Sequence, residues 1–330
     1  MKTNQNSEKF KTMIGGQALI EGIMMRGPKL DAIVTRGADG LHVEKTVRKI
    51  RSKGSFLTWP LVRGAVNFFD SQVTGVKALM RSADLSPEEN KDTPSKLDLW
   101  LEKKLGDKKF QSFLVGTAVA MGMGMSILLF FFLPNLVSSI FDRWIESNLV
   151  RNLIEGAVRI AIFLVYMLLI SRMGEMKRVF AYHGAEHKTI RCYEAQLPLT
   201  VENVRLQTRK HPRCGTSFLF VVLLLSILVF SVASSLLLTI VPGLSAMRGS
   251  IGYTLIMLCF KLLLLPLVVS VSYEINRLVG KYDNFLTRVL TAPGMWFQNF
   301  TTNEPDDDMI EVAITALQAV LPEDEGADRW

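Results

Sequence analysis

His183, Glu186 and His187, within the stretch YHGAEHK (182–188), set two imidazoles four residues apart with a carboxylate beside the second. On a helix, residues at i and i+4 project from one face about 6 Å apart, a spacing that lets two imidazoles share one ion. The order His-x-x-Glu-His is that of the inverted zincins, in which two histidines hold zinc and the glutamate is general base toward a water that the metal polarises. A plainer reading makes the same stretch the wet face of a helix leaving a membrane, with Glu186, Lys188 and Arg191 in solvent.

Two other segments carry side chains of the same chemistry. KHPRCGTSF (210–218) adds His211 and Cys214 at i, i+3 spacing, both suited to zinc or another divalent transition metal, and SYEIN (272–276) adds the carboxylate of Glu274. Three of the four histidines fall in one segment; His42 stands apart. Three protein ligands would leave a position open for substrate, whereas four would close the site and make it structural.

The elements that must position these groups are apolar. Of the 330 residues 49% are hydrophobic, and FLVGTAVAMGMGMSILLFFFL (113–133) and SFLFVVLLLSILVFSVASSLLLTIV (217–241) carry no charge, each long enough to span a bilayer as a helix. The runs 153–170, with Glu155 and Arg159, and 251–271, with Lys261 and Pro266, are apolar enough to span as well, which makes four transmembrane helices. A Glu155–Arg159 pair on one helix and a Lys261 turned inward or snorkelling would accommodate the intramembrane charge.

The segment 172–216 between spans two and three holds nine Lys or Arg, against two in 142–152 and one in 242–250. The positive-inside rule therefore places that segment on the cytoplasmic side and, with four spans, both termini as well, giving a multi-pass protein of the cell membrane. Net charge is +7, as expected of a face that touches anionic lipid, and no stretch interleaves basic and aromatic residues as a nucleic-acid platform would. The polar N-terminus has no signal-peptide h-region, and three cysteines with such a topology make no disulfide framework.

The fold class expected is a mainly α membrane protein, four transmembrane helices with a small cytoplasmic α+β domain. Residues 1–83 read as an antiparallel meander, its turns at Gly27-Pro28 and Gly37-Ala38-Asp39-Gly40, followed by an amphipathic helix that starts at Pro60 and carries Val62, Val66, Phe69, Val73, Val76 and Met80 on one face. Residues 84–110 read as a polar linker and a short pre-membrane helix. Residues 111–275 form the four-helix region, with span two continuing as helix through the histidines. Residues 276–330 are a cytoplasmic segment whose helix starts after Pro305 and buries Met309, Val312, Ala313, Ala316, Leu317 and Val320.

IGGQALIEGIMMRGP (14–28), YHGAEHK, HPRCGTSF (211–218) and SYEINRL (272–278) together resemble the YqhQ family of bacterial multi-pass membrane proteins, a group described as predicted metal-dependent enzymes. The likeness runs from about residue 12 to about 321 and implies a family more than a reaction. In its N-terminal motif, Glu21 and Arg26 either reach a site at the inner membrane face or pair in solvent; Lys188 and Arg213 are the other supporting candidates.

A base beside two ligands favours a metal-dependent hydrolase with Glu186 catalytic, acting at the cytoplasmic membrane face on a lipid or a juxtamembrane peptide. The alternative is a non-catalytic accessory or scaffold protein, for example in membrane-protein biogenesis, with a structural metal or a polar knot and a membrane-protein partner. A transporter is disfavoured by the small number of spans and the lack of an inverted repeat.

Overall fold

The computed structural model describes residues 10–48, 52, 54–85, 106–145, 147–247, 250–282, 284–324 and 326–329. The expected linker and most of the pre-membrane helix of 84–110 lie outside these residues.

Four strands, β1 (Gly15–Leu19), β2 (Gly22–Arg26), β3 (Leu30–Gly37) and β4 (Gly40–Val47), form an antiparallel sheet in the order β1-β2-β3-β4. The turn chemistry explains the register. Gly37 and Gly40 are paired, and Gly40 adopts φ 122°, a region closed to other residues at low cost. The β1–β2 connection is only Ile20-Glu21, and Glu21 itself takes φ 48°.

Helices cover both faces of this sheet. Ile23, Met25, Ala32 and Val34 pack against Ala181, Tyr182, Ala185 and Ile190 of α5 (Gly174–Glu194) and against Met309, Val312, Ala313, Ala316 and Leu317 of the last helix, α11 (Asp307–Gln318). The strand period of two sends Leu19 and Met24 to the opposite face, where they meet Ala78 of α1 (Val62–Leu85). Full burial of each large aliphatic side chain stabilises the fold by about 1.5–3 kcal/mol, so these two interfaces hold the sheet. Asp306 caps α11 by accepting from Met309 N at 2.9 Å, and Asp307 and Asp308 favour its dipole.

Helix α1 begins at Val62, two residues after Pro60. Its buried residues are small, Gly64, Gly75, Ala78 and Ser82, whereas Phe69, Val73, Val76 and Met80 are exposed on the other side of the helix.

Among the described residues, four helices are long and apolar enough to cross a membrane: Phe113–Ser139, Val150–Ile170, Gly215–Ile240 and Ile251–Lys281. The first comprises α2 (Asp107–Ile127), a π-helical turn (Leu128–Phe132) and α3 (Leu133–Ser139). The second lies in α4 (Asn148–Ile170) and ends at a turn, 171–173, before α5 begins at Gly174, so span two does not run unbroken into the histidine helix. The short helices α6 (Val201–Arg205) and α8 (Pro242–Ala246) flank α7 (Gly215–Ile240), and α9 (Ile251–Lys281) contains Pro266. Helix α10 (Phe285–Thr301), which its sequence did not announce, follows at once. A capping box closes its start, with Asn284 and Thr287 bonding reciprocally, and it leaves Phe285, Leu286, Val289, Leu290 and Trp296 exposed.

The chain groups into two compact units that are not contiguous in sequence. One takes Met1–Pro87, Met167–Leu224 and Pro266–Trp330; the other takes Glu88–Tyr166 and Leu225–Leu265. The second unit holds the expected intramembrane charges. Glu155 accepts from Arg159 at 2.7 Å and from Lys261 Nζ at 2.5 and 2.7 Å, so Lys261 joins the pair. Pro134 has no N–H to offer the carbonyl of Phe130, four residues earlier, and Arg159 Nε donates to that carbonyl at 2.7 Å instead.

Candidate functional site

Helix α5 is the centre of the first unit. Burial of Phe180, Ala181, Tyr182, Gly184–Cys192 except Arg191 shows why: the sheet, α11 and the 209–211 segment enclose it on every side. The reading of Glu186, Lys188 and Arg191 as a solvated face is therefore corrected. Lys188 is buried, donating to the carbonyl of Arg205 at 3.0 Å and pairing with Glu304 at 2.6 Å, while Arg191 donates to the carbonyl of Lys210 at 2.6 Å. Lys188 ties α5 to α6 and the 304 segment and is not among the residues lining the cavity beside the histidines.

His183 and His187 stand with ring centroids 4.3 Å apart, closer than an ideal i, i+4 pair. Both rings are oriented through Nδ1, which lies 2.8 Å from the carbonyl of Thr301 for His183 and 2.6 Å from that of Arg209 for His187. A carbonyl can only accept, so Nδ1 carries the proton in both rings and each Nε2 is the basic nitrogen. His183 Nε2 lies 3.1 Å from Cys214 Sγ, and His187 Nε2 has no hydrogen-bond partner among the described residues although the residue is 1% exposed. Donor atoms of His183, His187 and Cys214 all lie within 4.8 Å of one another. In a tetrahedral site with the usual bond lengths, nitrogen and sulfur would be about 3.5 Å apart, so a small opening of the His183–Cys214 contact admits a zinc-sized ion.

Glu186 follows on the same helix. Its Oε1 accepts from Gly16 N at 2.9 Å, and Oε2, buried, has no partner among the described residues. Gly16 is needed there: a Cβ would sit 2.7 Å from the Met24 carbonyl oxygen and 3.0 Å from Glu186 Cδ. Two buried atoms, Oε2 of Glu186 and Nε2 of His187, thus lack a partner among the described residues, and such groups cost about 1–3 kcal/mol each when unpaired.

The electrostatics follow from burial and proximity. Burial raises the Glu186 carboxyl above the usual carboxylate value, with the imidazoles of His183 and His187 opposing it. Burial would suppress the charge of His183, yet the facing Cys214 sulfur outweighs it and pushes the ring up to about 9. Burial likewise opposes a Cys214 thiolate, but the two imidazoles hold the thiol well below its ordinary value.

The other candidates are placed differently. His211 lines the same cavity, its ring centroid 5.6 Å from that of His187, but it is outside the group whose donor atoms converge. Its Nε2 faces Glu194 Oε2 at 3.4 Å, and burial holds it down at about 4, so the ring is neutral. Glu194 also pairs with Arg213 and accepts from Thr12 N at 2.9 Å. Glu274 is corrected outright as a ligand: Arg63 of α1 holds both its oxygens, at 2.7 and 2.5 Å, and it does not reach the triad. Glu21 and Arg26 part company, Glu21 pairing with Arg178 at 2.5 Å and with the Tyr182 hydroxyl at 3.2 Å, and Arg26 turning into the cavity.

The cavity itself is an open cleft of about 360 Å³ lined by Glu186, His187, His211, Cys214, Arg213 and Arg26 among others. Arg48, Ser71 and Tyr273 also line it; Arg48 sits in a basic run, Ser71 between Asp70 and Gln72, and Tyr273 beside Glu274, and their common cleft follows from contacts distant in sequence. Thr301, Arg209 and Gln298 were equally illegible, because the first two act through backbone carbonyls and the third binds a backbone segment 87 residues away.

The family described as "Protein of unknown function (DUF1385)" matches residues 59–323. An uncharacterised protein of Bacillus subtilis (strain 168), YqhQ, is 30% identical over 324 residues, covering 96% of this chain and 94% of its own. The chain belongs to the YqhQ family. That membership spans both the sheet with its helices and the four apolar helices, so the triad lies inside the matched region along with Glu186. No solved structure matches the chain.

Proposed function

We propose that this protein is a metal-dependent hydrolase of the cell membrane, working at the cytoplasmic face on a lipid or a juxtamembrane peptide. The observation that carries the reading is the convergence of one donor atom each from His183, His187 and Cys214 within 4.8 Å, with Oε2 of Glu186, unpartnered among the described residues, beside the same cleft. Zinc, or another divalent transition metal, held by these three side chains would keep an open position and supply Lewis acidity there. Thr301 and Arg209 orient the two rings through Nδ1, which turns each Nε2 away from those carbonyls; a metal would take the His183 Nε2 position now facing Cys214. Glu186 is the general base: Gly16 pins one oxygen, and burial raises the proton affinity of the carboxyl above its usual value, the direction that favours accepting a proton. The four apolar helices and the excess of Lys and Arg in 172–216 support the membrane placement and the cytoplasmic side.

The second reading is a non-catalytic accessory protein. The 3.1 Å contact of His183 Nε2 with Cys214 Sγ supports it, since a thiolate–imidazolium pair is a polar knot that needs no metal. Elemental analysis of the full chain purified in detergent separates the two. The hydrolase reading expects about one equivalent of metal in the wild type and in Glu186→Gln, and loss of it in His183→Ala, His187→Ala and Cys214→Ser. Wild-type protein free of transition metal under non-chelating conditions overturns the hydrolase reading.

A further inference from the structure

Among the described residues, the cleft beside the triad is lined by three arginines, Arg26, Arg48 and Arg213, and by a single carboxylate, Glu186. The acids that steady these arginines sit behind them. Arg26 Nε and Arg48 Nε approach the same oxygen, Asp31 Oδ1, at 3.4 and 3.5 Å, and Arg26 reaches Asp70 at 3.8 Å. Arg26 also donates to Ser71 Oγ at 3.2 Å, Arg48 donates to the Gly27 carbonyl at 2.6 Å, and Arg213 pairs with Glu194. A guanidinium has five N–H donors, so these contacts leave two on Arg26 and three on Arg48 uncommitted. Asp31 and Asp70 balance the charge of Arg26 and Arg48 from outside the lining of the cleft, so the cleft itself presents guanidinium groups. Burial, and next the charge of Arg26, lower the proton affinity of Arg48, with Asp31 and Asp70 opposing.

We propose that this cleft binds a phosphate group, held by Arg26, Arg48 and Arg213, and that the ligand taken beside His183, His187 and Cys214 is a phosphate ester. The inference rests on the hydrolase reading for the word substrate, but the phosphate site stands on the arginines alone. One arginine saturates a planar carboxylate through a bidentate pair, whereas three forks facing one space suit a tetrahedral anion with several charged oxygens. At about 360 Å³ the cleft exceeds a bare phosphate and has room for the esterified group, and Tyr273 and Ile14 give it partly apolar walls. The phosphate could belong to a membrane lipid headgroup or to a soluble ester, and the geometry of the arginines serves both.

The test is equilibrium binding to the full chain in detergent, followed by 31P NMR line broadening or thermophoresis, with metal content measured on each preparation. Probes are sn-glycerol 3-phosphate, the short-chain lipid dihexanoyl phosphatidic acid, and dihexanoylglycerol, which lacks the phosphate. Binding of either phosphate ester but not of dihexanoylglycerol, weakened at least tenfold in Arg48→Gln and in Arg26→Gln, supports the proposal. Preference for the lipid or for the soluble ester then names the source. Arg48→Lys, which keeps charge and fold but loses the fork, is expected to fall between wild type and Arg48→Gln; Arg81→Gln, whose partner Glu44 is outside the cleft, is expected to bind as wild type. Absence of binding by both phosphate probes, or equal binding by wild type and the Arg26 and Arg48 variants, overturns it. Metal present without arginine-dependent phosphate binding defeats this proposal alone, and arginine-dependent binding without metal defeats the hydrolase reading alone.

Discussion

The Gln298 side chain pairs with the backbone of His211 as a neighbouring strand would, its Oε1 accepting from His211 N at 2.8 Å and its Nε2 donating to His211 O at 2.7 Å. The same Nε2 donates to Ser217 Oγ at 2.9 Å, and the whole side chain is buried. Three residues on, Thr301 orients His183 through its carbonyl, so one face of α10 fastens both the turn before α7 and a ring of the triad. Gln298→Ala orphans two buried backbone groups at about 1–3 kcal/mol each. It is expected to lower the unfolding midpoint sharply; Gln298→Glu, which sets a buried acceptor oxygen against the His211 carbonyl, should be no milder. Thermal unfolding in detergent checks this, and equal midpoints for Gln298→Ala and wild type would remove the clamp from the account.

Adjacent glycines of the N-terminal motif are expected to behave oppositely. A Cβ on Gly15 meets nothing within 4 Å, whereas one on Gly16 meets the Met24 carbonyl oxygen and Glu186. Gly15→Ala should therefore express and unfold as wild type does, and Gly16→Ala should displace Glu186 or unfold the β1–β2 pair. Gly184→Ala should be worse, because its Cβ would fall 2.0 Å from the backbone oxygen of Asn303, where α5 receives the segment after α10. Expression level and monodispersity of the three variants, compared side by side, test the order.

In the apolar unit, one carboxylate serves two cations: Glu155 holds both Arg159 and Lys261, all three nearly fully buried. Removing it leaves two unpaired charges, so Glu155→Gln is expected to cost about 3–5 kcal/mol, the usual penalty of breaking a buried pair. Lys261→Met leaves the Glu155–Arg159 pair intact and should be mild by comparison. A destabilisation of Lys261→Met as large as that of Glu155→Gln would contradict the arrangement.

Glu21 carries a pH dependence of definite sign. Its hydrogen bond from Arg178, opposed in part by burial, holds the carboxyl below the usual value in the folded state. A depressed folded value means that the stabilisation is present above the unfolded carboxyl's titration and is lost as pH falls through the folded one. Stability measured from pH 7 downward should therefore decline less steeply in Glu21→Gln than in wild type; parallel curves would argue that the pair contributes nothing, as exposed Arg178 would allow.

Much of the fold was legible because it is written in local pattern. Charge-free runs longer than a bilayer, alternation between 14 and 47 with Gly at the turns, and an acid-led apolar face after Pro305 each settle an element by themselves. Helix α10 escaped notice because its apolar face is interrupted by Pro293 and Gly294, and the break before α5 because nothing in Ser171-Arg172-Met173 forbids helix.

His183 and His187 were candidates from spacing alone, since the four-residue interval of a helix puts them on one face whatever surrounds it. Whether Cys214, His211 or Glu274 joins them is a matter of partners. Sequence makes all three chemically eligible, but Arg63 takes Glu274, Glu194 faces His211, and only the Cys214 sulfur is left against the imidazoles. Arg48 and Asp31 likewise acquire meaning only once β3 and β4 bring them within 3.5 Å. Residue type and period determine which groups could act, because they depend on neighbours along the chain. Which of them remain free to act is decided by long-range contacts, which choose the side chain that each charge and each lone pair will meet.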